Sequence, residues 1–362
     1  MTLNSATQEF SRLLLQWHAS ENHRQMPWKA EKDPYKIWLS EIILQQTRVN
    51  QGLSYYLHFI QQYPTLKDLA KAPDEQVFKS WEGLGYYSRC RNMLFTARFI
   101  AEKRNGIFPT TYPEILSLKG VGEYTAAAIA SFAYNLPHAV VDGNVIRVLC
   151  RVFGINSNIA TQQGKKQLAS LAHQLLNKKH PAKYNQAIMD FGATVCLPRS
   201  PLCNKCPFQK SCVAYRQNKI EELPVKLQKA PRKKRYFNYV MATYRDKLYI
   251  RQRTEKDIWR HLHEFILCET PGPVFPDTIL TSINLSELLG PNYRIIRISP
   301  PVQQTLTHQQ IQAVFIRVEL SKPLKNPEYT PVSKAELSRK AFPKLVRETG
   351  LQMLHPERIK IS

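Results

Sequence analysis

The sequence LKGVGEYTAAAIA at 118–130 decides the fold, because two glycines form a turn that opens directly into an alanine-rich helix. YPEILS at 112–117 supplies at least one helical turn before it. Glycines permit positive φ angles and close approach of backbone N–H groups, and the following helix adds the positive end of its dipole. We predict a helix–hairpin–helix unit in which Gly120, Val121 and Gly122 hold a phosphate. A plain helix–helix turn would have the same pattern.

The next motif along the chain, HAVVDGNVIRV at 138–148, contains Asp142 between an apolar run and a helical pattern. Aspartate is a preferred N-cap residue, and this is its simplest role. The helix dipole also keeps a carboxylate at this position ionised. We therefore predict an ionised N-cap carboxylate at Asp142, a role that leaves room for a functional one.

A second carboxylate lies upstream, where WLSEIILQQTRV at 38–49 places Glu41 inside an apolar run. On a helix, Trp38 and Leu44 lie within one turn of it on the same face. A buried, unpaired carboxylate takes up a proton, so Glu41 is either a salt-bridged rim residue or a general acid with a raised pKa. One protonated and one ionised carboxylate is the pairing that breaks glycosidic bonds.

Four of the seven cysteines crowd into one loop with the spacing Cys196-x6-Cys203-x2-Cys206-x5-Cys212. Four thiolates complete a tetrahedral zinc site or hold an iron–sulfur cluster. Four-cysteine zinc sites usually consist of two close pairs, and only Cys203 and Cys206 form such a pair here. The spacing therefore favours iron–sulfur, with zinc as the alternative.

The whole chain of 362 residues has 51 Lys+Arg against 28 Asp+Glu, a formal net charge of +23. Such an excess indicates a polyanionic partner. The sequence has no apolar run of transmembrane length, and its start does not resemble a secretory signal. We expect a cytosolic protein whose partner is nucleic acid.

The pattern of the chain changes near residue 233. Before it, apolar spacing near 3.6 predicts helices at 6–20, 35–49, 51–62, 88–104, 123–134, 145–153, 161–177 and 182–193. The segment 213–235, with the run RKKR at 232–235, is interpreted as a basic, solvated linker. After it, YFNYVMATY and KLYIRQR predict a β-hairpin, 294–298 and 311–320 are strand candidates, and 333–350 is predicted to hold short helices.

Five blocks in this order resemble the adenine DNA glycosylases, the MutY family: WLSEIILQQTRV, GLGYYSR, LKGVGEYTAAAIASFA, VVDGNVIRV and the cysteine loop. The resemblance is close over about 20–215. It implies a multi-domain fold, with an all-α helix–hairpin–helix glycosylase domain that carries an iron–sulfur loop and a smaller α+β MutT-like (Nudix-like) domain. The implied boundaries are 1–212 for the catalytic region, 213–232 for the linker and 233–362 for the MutT-like domain. Within the first, a six-helix barrel module covers about 28–137, and an iron–sulfur module combines 1–27 with 138–212.

The resemblance also implies a function, which is removal of adenine mispaired with 8-oxoguanine or guanine in base excision repair. Glu41 matches the catalytic acid that protonates adenine at N7, and Asp142 matches the carboxylate that stabilises the resulting sugar cation. Tyr124 and Asn144 match residues that support this chemistry. The four cysteines, Cys196, Cys203, Cys206 and Cys212, match the ligands of a [4Fe–4S] cofactor.

The target base must leave the duplex stack before it can react. Gln46 and Tyr86 match residues that wedge into the gap and contact the opposite base. RQMPWK at 24–29 resembles the adenine-pocket segment of the family. The implied pocket residues are Arg24, Met26, Trp28 and Gln186. A core indole is the alternative for Trp28.

Position 124 predicts the reaction type. Related enzymes resembling endonuclease III place a lysine there, whose amine attacks the sugar and leads to strand cleavage. The phenol of Tyr124 does not form a Schiff base, so we expect a monofunctional glycosylase that leaves an abasic site. The alternatives on the same fold are a pyrimidine or thymine-mismatch glycosylase and an endonuclease III-like enzyme.

The C-terminal domain resembles the module that reads 8-oxoguanine opposite the adenine. The family often has Phe-Ser-His at the reading turn, whereas this chain has Leu306, Thr307 and His308. Thr307 keeps the hydroxyl and His308 keeps the imidazole, but no aromatic ring precedes them. We find no glutamate run matching a Nudix pyrophosphatase box, so this domain is expected to bind and not to hydrolyse.

The expected partner is double-stranded DNA containing A:8-oxoguanine or A:G mispairs. A cytoplasmic, nucleoid-associated monomer is expected, with the linker available for contacts with replication or repair proteins. Two other classes of protein remain as alternatives. One is a non-catalytic iron–sulfur DNA-binding protein, which would have lost Glu41 or Asp142, although both are present. The other is an iron–sulfur electron carrier, which would need neither the charge nor the glycine hairpin.

Overall fold

The computed structural model of the chain describes residues 3–225 and 231–354. It forms two compact units, one of Met1–Lys71 with Asn92–Gln228 and one of Ala72–Arg91 with Lys229–Ser362. None of the helices in the described ranges combines the length and the apolar character that crossing a bilayer requires.

The first unit is helical. Its helices are α1 (Leu3–Ser20), α2 (Pro34–Leu44), α3 (Val49–Gln62), α4 (Leu66–Lys71), α7 (Tyr112–Leu116), α8 (Glu123–Tyr134), α9 (Gly143–Phe153), α10 (Gln162–Leu175), α11 (Pro181–Thr194) and α12 (Val213–Arg216), with a 3₁₀ turn at Cys203–Lys205. Helix α5 (Asp74–Ser80) belongs to the second unit, and α6 (Tyr87–Lys103) begins there and continues into the first.

Capping residues fix where the helices around the site begin and end. Asp33 accepts a hydrogen bond from the N–H of Tyr35 and starts α2, with Pro34 at the first helical position. Asp142 starts α9 in the same way, and α9 ends at Gly154, whose φ of 69° is left-handed. The caps therefore fix the positions of Glu41, which lies within α2, and of Asp142, which is the N-cap of α9.

One apolar core holds α1 against α9, α10 and α11. Phe10, Leu14 and Trp17 of α1 are buried in it, and the ring of Phe208, which precedes Cys212, stacks on Phe10 with centroids 4.5 Å apart. The edge of the Trp17 ring meets Phe191 of α11 at 5.0 Å. The cysteine loop therefore packs against the helical core through the ring of Phe208, which contacts Phe10 and Phe191.

The second unit contains a mixed sheet. Its strands are β1 (Lys233–Tyr244), β2 (Lys247–Gln252), β3 (His263–Glu264), β4 (Ile266–Thr270), β5 (Tyr293–Ile298), β6 (Val302–Thr305), β7 (Gln309–Leu320) and β8 (Thr330–Val332). The order is β3-β2-β1-β7-β5, with β4 on β1, β6 on β7 and β8 on β2. Only the β1–β7 pair is parallel among these pairings. Shorter helices are α13 (Pro276–Leu280), α14 (Ile283–Leu289) and α15 (Lys334–Leu337), followed by a π-helical turn at Val346–Gly350 and a 3₁₀ turn at Leu351–Leu354.

Most of the predicted elements are confirmed, including the β1–β2 hairpin with its turn at Arg245, the strands at 294–298 and 311–320, and short helices within 333–350. Two predictions are wrong. The helix predicted at 35–49 ends at Leu44, because residues 45–48 form a turn in which Gln46 has a φ of 54°. The run 232–235 is not all linker, because Lys233 already pairs with Gln309 in the sheet.

Candidate active site

A cavity of about 650 Å³ lies within the first unit, between the loop that follows α1, helix α2, the start of α8, the start of α9 and helix α11. It brings together residues far apart in sequence. The predicted residues on its wall are Arg24, Met26, Trp28, Glu41, Tyr124, Asp142, Asn144 and Gln186. The volume lies within the range of natural small-molecule sites, so a single nucleobase can be accommodated.

Glu41 is held in an apolar part of this wall, with only 7% of its surface exposed. Trp38, Ile42 and Ile43 of the same helix are buried around it. Burial raises the pKa of Glu41 to about 7, a hydrogen bond from Tyr124 opposes the rise, and the charge of Asp142 adds to it. The carboxyl is therefore divided between its protonated and ionised forms near neutral pH, as a group that both gives and takes a proton requires.

Tyr124 is the hydrogen-bond partner of Glu41 in the cavity. It is the second residue of α8, directly after the glycine turn, and its hydroxyl donates to the Glu41 carboxylate. Burial and the charges of Glu41 and Asp142 raise its pKa well above the usual range, so the phenol stays protonated. It can therefore act as a fixed hydrogen-bond donor.

Asp142 is the N-cap of α9. Its Oδ1 accepts the N–H of Val145 at 2.7 Å, and its Oδ2 accepts the side-chain amide of Asn144 at 2.7 Å. Burial raises its pKa above the ordinary value, whereas these hydrogen bonds and the charge of Arg147 oppose the rise. The prediction that the two carboxyl pKa values are pushed in opposite directions is wrong, since burial raises both. The difference lies in the donors, of which Asp142 has more than Glu41.

Arg147, one turn further along α9, connects this carboxylate to the cysteine loop. Its guanidinium donates to Asn144 Oδ1 at 2.9 Å and to the carbonyl oxygens of Cys196 at 2.7 Å and Gly192 at 2.6 Å. Sequence reasoning did not single out this residue. The sequence does contain an indication of its role. Helix α9 is half apolar and carries Arg147 and Arg151, and arginines on a buried face need hydrogen-bond partners.

The segment between α1 and α2 forms another wall of the cavity without regular structure. Trp28 is half-buried and meets the ring of Tyr56 edge-on at 5.4 Å, so it is a cavity residue with one face on the core. Arg24 pairs with Asp190 of α11 at 2.8 Å, and Lys29 pairs with the same carboxylate at 2.6 Å. Asp190 was missed, although it lies between Met189 and Phe191 in the same kind of apolar context that singled out Glu41.

The hairpin has the predicted form. Helix α7 leads through Gly120, with a φ of 83°, to Gly122 at the N-cap of α8. Val121 is buried between the two exposed glycines. A methyl group added at Gly122 would meet no atom within 4 Å, so the N-terminus of α8 is open to an approaching anion.

The two predicted wedge residues, Gln46 and Tyr86, lie outside this cavity. Gln46 is exposed in the turn between α2 and α3 and does not line the cavity. Tyr86 belongs to the second unit, where its hydroxyl is 2.5 Å from Thr307 Oγ1. Tyr86 and Thr307 line a second cavity of about 560 Å³, together with His308. The structure therefore groups one of the two predicted wedge residues, Tyr86, with the predicted reading turn in one unit, whereas Gln46 lies in the other.

The four cysteines of the loop line one small cavity, beside Phe191 and Leu202. Arg151 donates to Cys196 Sγ at 3.6 Å, and burial raises the pKa values of the Cys203, Cys206 and Cys212 thiols. Among residues 3–225 and 231–354, no three His, Cys, Asp or Glu side chains are grouped so as to hold a metal ion. The four thiols line one cavity and are chemically the donors that an iron–sulfur cluster requires, but in this structure they are not grouped at metal-binding distances.

Comparison with known proteins gives a consistent result. Residues 39–174 match the HhH-GPD superfamily of base excision DNA repair proteins. The chain is 38% identical over 259 residues to an adenine DNA glycosylase of Buchnera aphidicola subsp. Baizongia pistaciae, covering 71% of this chain and 73% of that protein. It is 44% identical over 227 residues to an adenine DNA glycosylase of Rattus norvegicus, covering 59% of this chain and 44% of that protein.

A solved structure of a thermostable thymine-DNA glycosylase is similar in fold. The two structures have a TM-score of 0.55 and 31% sequence identity, and the match covers 60% of this chain and 100% of the thymine-DNA glycosylase. The superfamily match contains Glu41, Tyr124 and Asp142, whereas the 22–33 segment and the cysteine loop lie outside it.

Proposed function

Because the chain belongs to the adenine DNA glycosylase (MutY) family, and is therefore a DNA N-glycosylase of base excision repair, we propose that it removes adenine paired with 8-oxoguanine or guanine in double-stranded DNA. One observation carries the proposal. Glu41, with a pKa of about 7, and Asp142 line the same cavity, which is large enough for a flipped adenine.

The reaction follows from the protonation states of these two groups. Glu41 gives its proton to adenine N7, so the base leaves with the electron pair of the glycosidic bond as a neutral group. Asp142 stabilises the cationic sugar or adds to it transiently, and Glu41 then takes a proton from the attacking water. Tyr124 fixes Glu41, and Asn144 fixes Asp142 through the 2.7 Å hydrogen bond.

The pocket residues select the base. Arg24, Met26, Trp28 and Gln186 line the cavity beside Glu41. Trp28 offers an aromatic face for stacking, and the amide of Gln186 offers both a donor and an acceptor. Gln46 and Tyr86 fill the gap that the flipped base leaves. The competing candidate is thymine excision, which the similarity to a thymine-DNA glycosylase favours.

The second unit serves as the MutT-like reading domain. Thr307 and His308 contact the 8-oxoguanine, with Tyr86 beside them in the same cavity. We also propose that the catalytic region ends at residue 212 and that the reading domain begins at residue 233. In the cysteine loop, Cys196, Cys203, Cys206 and Cys212 would hold a [4Fe–4S] cluster that fixes the loop. Iron and sulfide analysis of the purified protein, with zinc measured in parallel, tests this assignment.

The decisive experiment is single-turnover excision from a labelled duplex with one adenine opposite 8-oxoguanine. Each reaction is divided, and one half is treated with hot alkali. We expect strand breaks only after alkali, since Tyr124 replaces the lysine that a lyase needs. Breaks without alkali would contradict the monofunctional assignment. A G:T duplex is the control, and cleavage of that substrate alone would favour thymine excision.

Glu41→Gln is the matched variant, because it removes the proton donor and preserves the shape of the side chain. We expect loss of excision with duplex binding retained. Full activity in this variant would remove Glu41 from the mechanism, and loss of folding would assign it a structural role.

A further inference from the structure

Asp190 is a fully buried carboxylate directly behind the wall of the active-site cavity. Its Oδ1 meets Arg24 Nη1 at 2.8 Å, and its Oδ2 meets Lys29 Nζ at 2.6 Å and the side-chain amide of Asn22 at 2.9 Å. Three hydrogen-bond donors from one irregular segment therefore converge on a single side chain of α11. Lys29 also donates to the carbonyl oxygen of Arg24, which closes the segment on itself.

The charge state of this carboxylate is settled by its partners. Burial alone would raise the pKa of Asp190, but hydrogen bonds from Lys29, Asn22 and Arg24 outweigh it and hold the pKa below its usual range. Asp190 is therefore ionised near neutral pH. Asp190 itself does not line the cavity, whereas its partners Arg24 and Lys29 both do.

This arrangement matters because positive charge develops in the cavity during excision. Arg24, Lys29 and Asp190 together carry a net charge of +1, and without Asp190 the two cations on the wall would carry +2. At about 10 Å and an effective dielectric constant near 20, one unit charge changes the free energy of another by more than the equivalent of one pKa unit. Such a potential opposes both the protonated base and the cationic sugar.

We propose that Asp190 is a positioning residue for adenine excision: it fixes the 22–29 segment against α11 and lowers the net charge of Arg24 and Lys29 from +2 to +1, so that positive charge can form on the base and sugar beside them. The inference rests on the proposed function. Asp190 acts through Arg24 and Lys29, whose surfaces line the cavity, and does not itself belong to the cavity wall.

Other titratable groups also line the cavity. Besides Arg24, Lys29 and Tyr124, they are His18, Glu31, Lys32, Asp142, His180 and Lys183. Substitution of Asp190 keeps these side chains in place, but it also removes the charge that raises the pKa of His18. A change in the pKa of Glu41 therefore reports on the net charge of Arg24, Lys29 and Asp190 together with that of His18.

The test is the pH dependence of single-turnover excision from the A:8-oxoguanine duplex, in three variants of the full chain. In Asp190→Asn the added unit of net positive charge favours the ionised form of Glu41, so the alkaline limb of the profile should move to lower pH by about one unit, which is a ten-fold lower rate on that side. In Lys29→Met the net charge of the group falls from +1 to 0, because Arg24 still balances Asp190, so the limb should move in the opposite direction. Asp190→Glu keeps the charge and should keep the limb.

Opposite shifts in Asp190→Asn and Lys29→Met support the proposal, because loss of structure alone would not change sign with charge. Slower excision with an unmoved limb in both variants would overturn it and leave Asp190 a structural role. If Asp190→Asn does not fold, Lys29→Met still decides by the direction of its limb. A wild-type chain inactive on this duplex would instead refute the proposed function.

Discussion

Glu41 shows how strongly a single residue can work against the fold that contains it. Its pKa rises from 4.5 to about 7 because burial disfavours the carboxylate. The shift corresponds to roughly 3 kcal/mol of lost stability once the group is ionised. The loss begins as the pH rises through the unfolded pKa and is complete above the folded one.

Glu41→Gln should therefore stabilise the protein at alkaline pH. The free energy of unfolding should match that of the wild type near about pH 4 and exceed it by roughly 3 kcal/mol above about pH 8. Chemical denaturation at both pH values measures the difference. An equal effect at both would show that the stabilisation does not come from the carboxylate charge.

The residue scale is also where sequence reasoning was most and least successful. The apolar neighbours of Glu41 were enough to predict burial, because no cation stands within a helical turn of it on the same face. The same context around Asp190 was overlooked, and its partners Arg24 and Lys29 are more than 160 residues away in the chain, with a separation of 166 for Arg24. Local pattern indicates that a charge is buried, but only the tertiary fold shows what neutralises it.

At the scale of elements, the hairpin depends on two glycines for different reasons. Gly120 needs its left-handed φ of 83°, and a methyl group there would come within 2.7 Å of Asn92 Cβ. Gly122 has an ordinary φ of −97° and open space around it. The first glycine therefore serves the turn, and the second keeps the N-terminus of α8 accessible.

Alanine substitutions should separate these roles. Gly120→Ala should lower the free energy of unfolding by about 1–3 kcal/mol, because a strained φ and a steric clash are both introduced. Gly122→Ala should leave stability within about 1 kcal/mol and weaken duplex binding, because the methyl group obstructs a phosphate. Denaturation curves and binding titrations of both variants are the measurements. Equal binding by Gly122→Ala and the wild type would exclude a phosphate at this helix end.

The break between α2 and α3 could not be predicted from the same kind of pattern. Residues 45–48, QQTR, contain neither glycine nor proline. The chain turns there because α3 packs closely on α2, where a methyl group at Gly52 would be only 2.7 Å from Leu44 Cδ2. The signal was Gly52, three residues inside the next helix, and it has meaning only once the packing is known.

At the scale of the whole molecule, the net charge can be read from the sequence, whereas the long-range contacts that define the two units cannot. A net charge of +23 predicts attraction to any nucleic acid without regard to sequence. Conversely, the grouping of Ala72–Arg91 with Lys229–Ser362 follows from contacts such as Glu82 with Arg347, 3.0 Å apart, which no local pattern predicts. The pairing of Tyr86 with Thr307 belongs to the same long-range class.

Binding to DNA phosphates and recognition of the mispair should respond differently to salt. Counterion release makes the affinity for any duplex fall steeply, by about 10³–10⁵ between 50 and 200 mM salt if six to ten phosphates are contacted. The proposed contact of Thr307 with the mispair is short-range and carries no net charge, so the ratio of affinities for A:8-oxoguanine and A:T duplexes should stay constant over this range. Thr307→Ala should reduce that ratio and leave the salt slope unchanged, whereas Lys→Ala substitutions at phosphate contacts should do the reverse. Binding titrations of both duplexes at several salt concentrations, with Glu41→Gln as the background to prevent turnover, provide the data. A ratio that falls in parallel with affinity would mean that the lesion is recognised through the same electrostatic contacts that bind undamaged DNA.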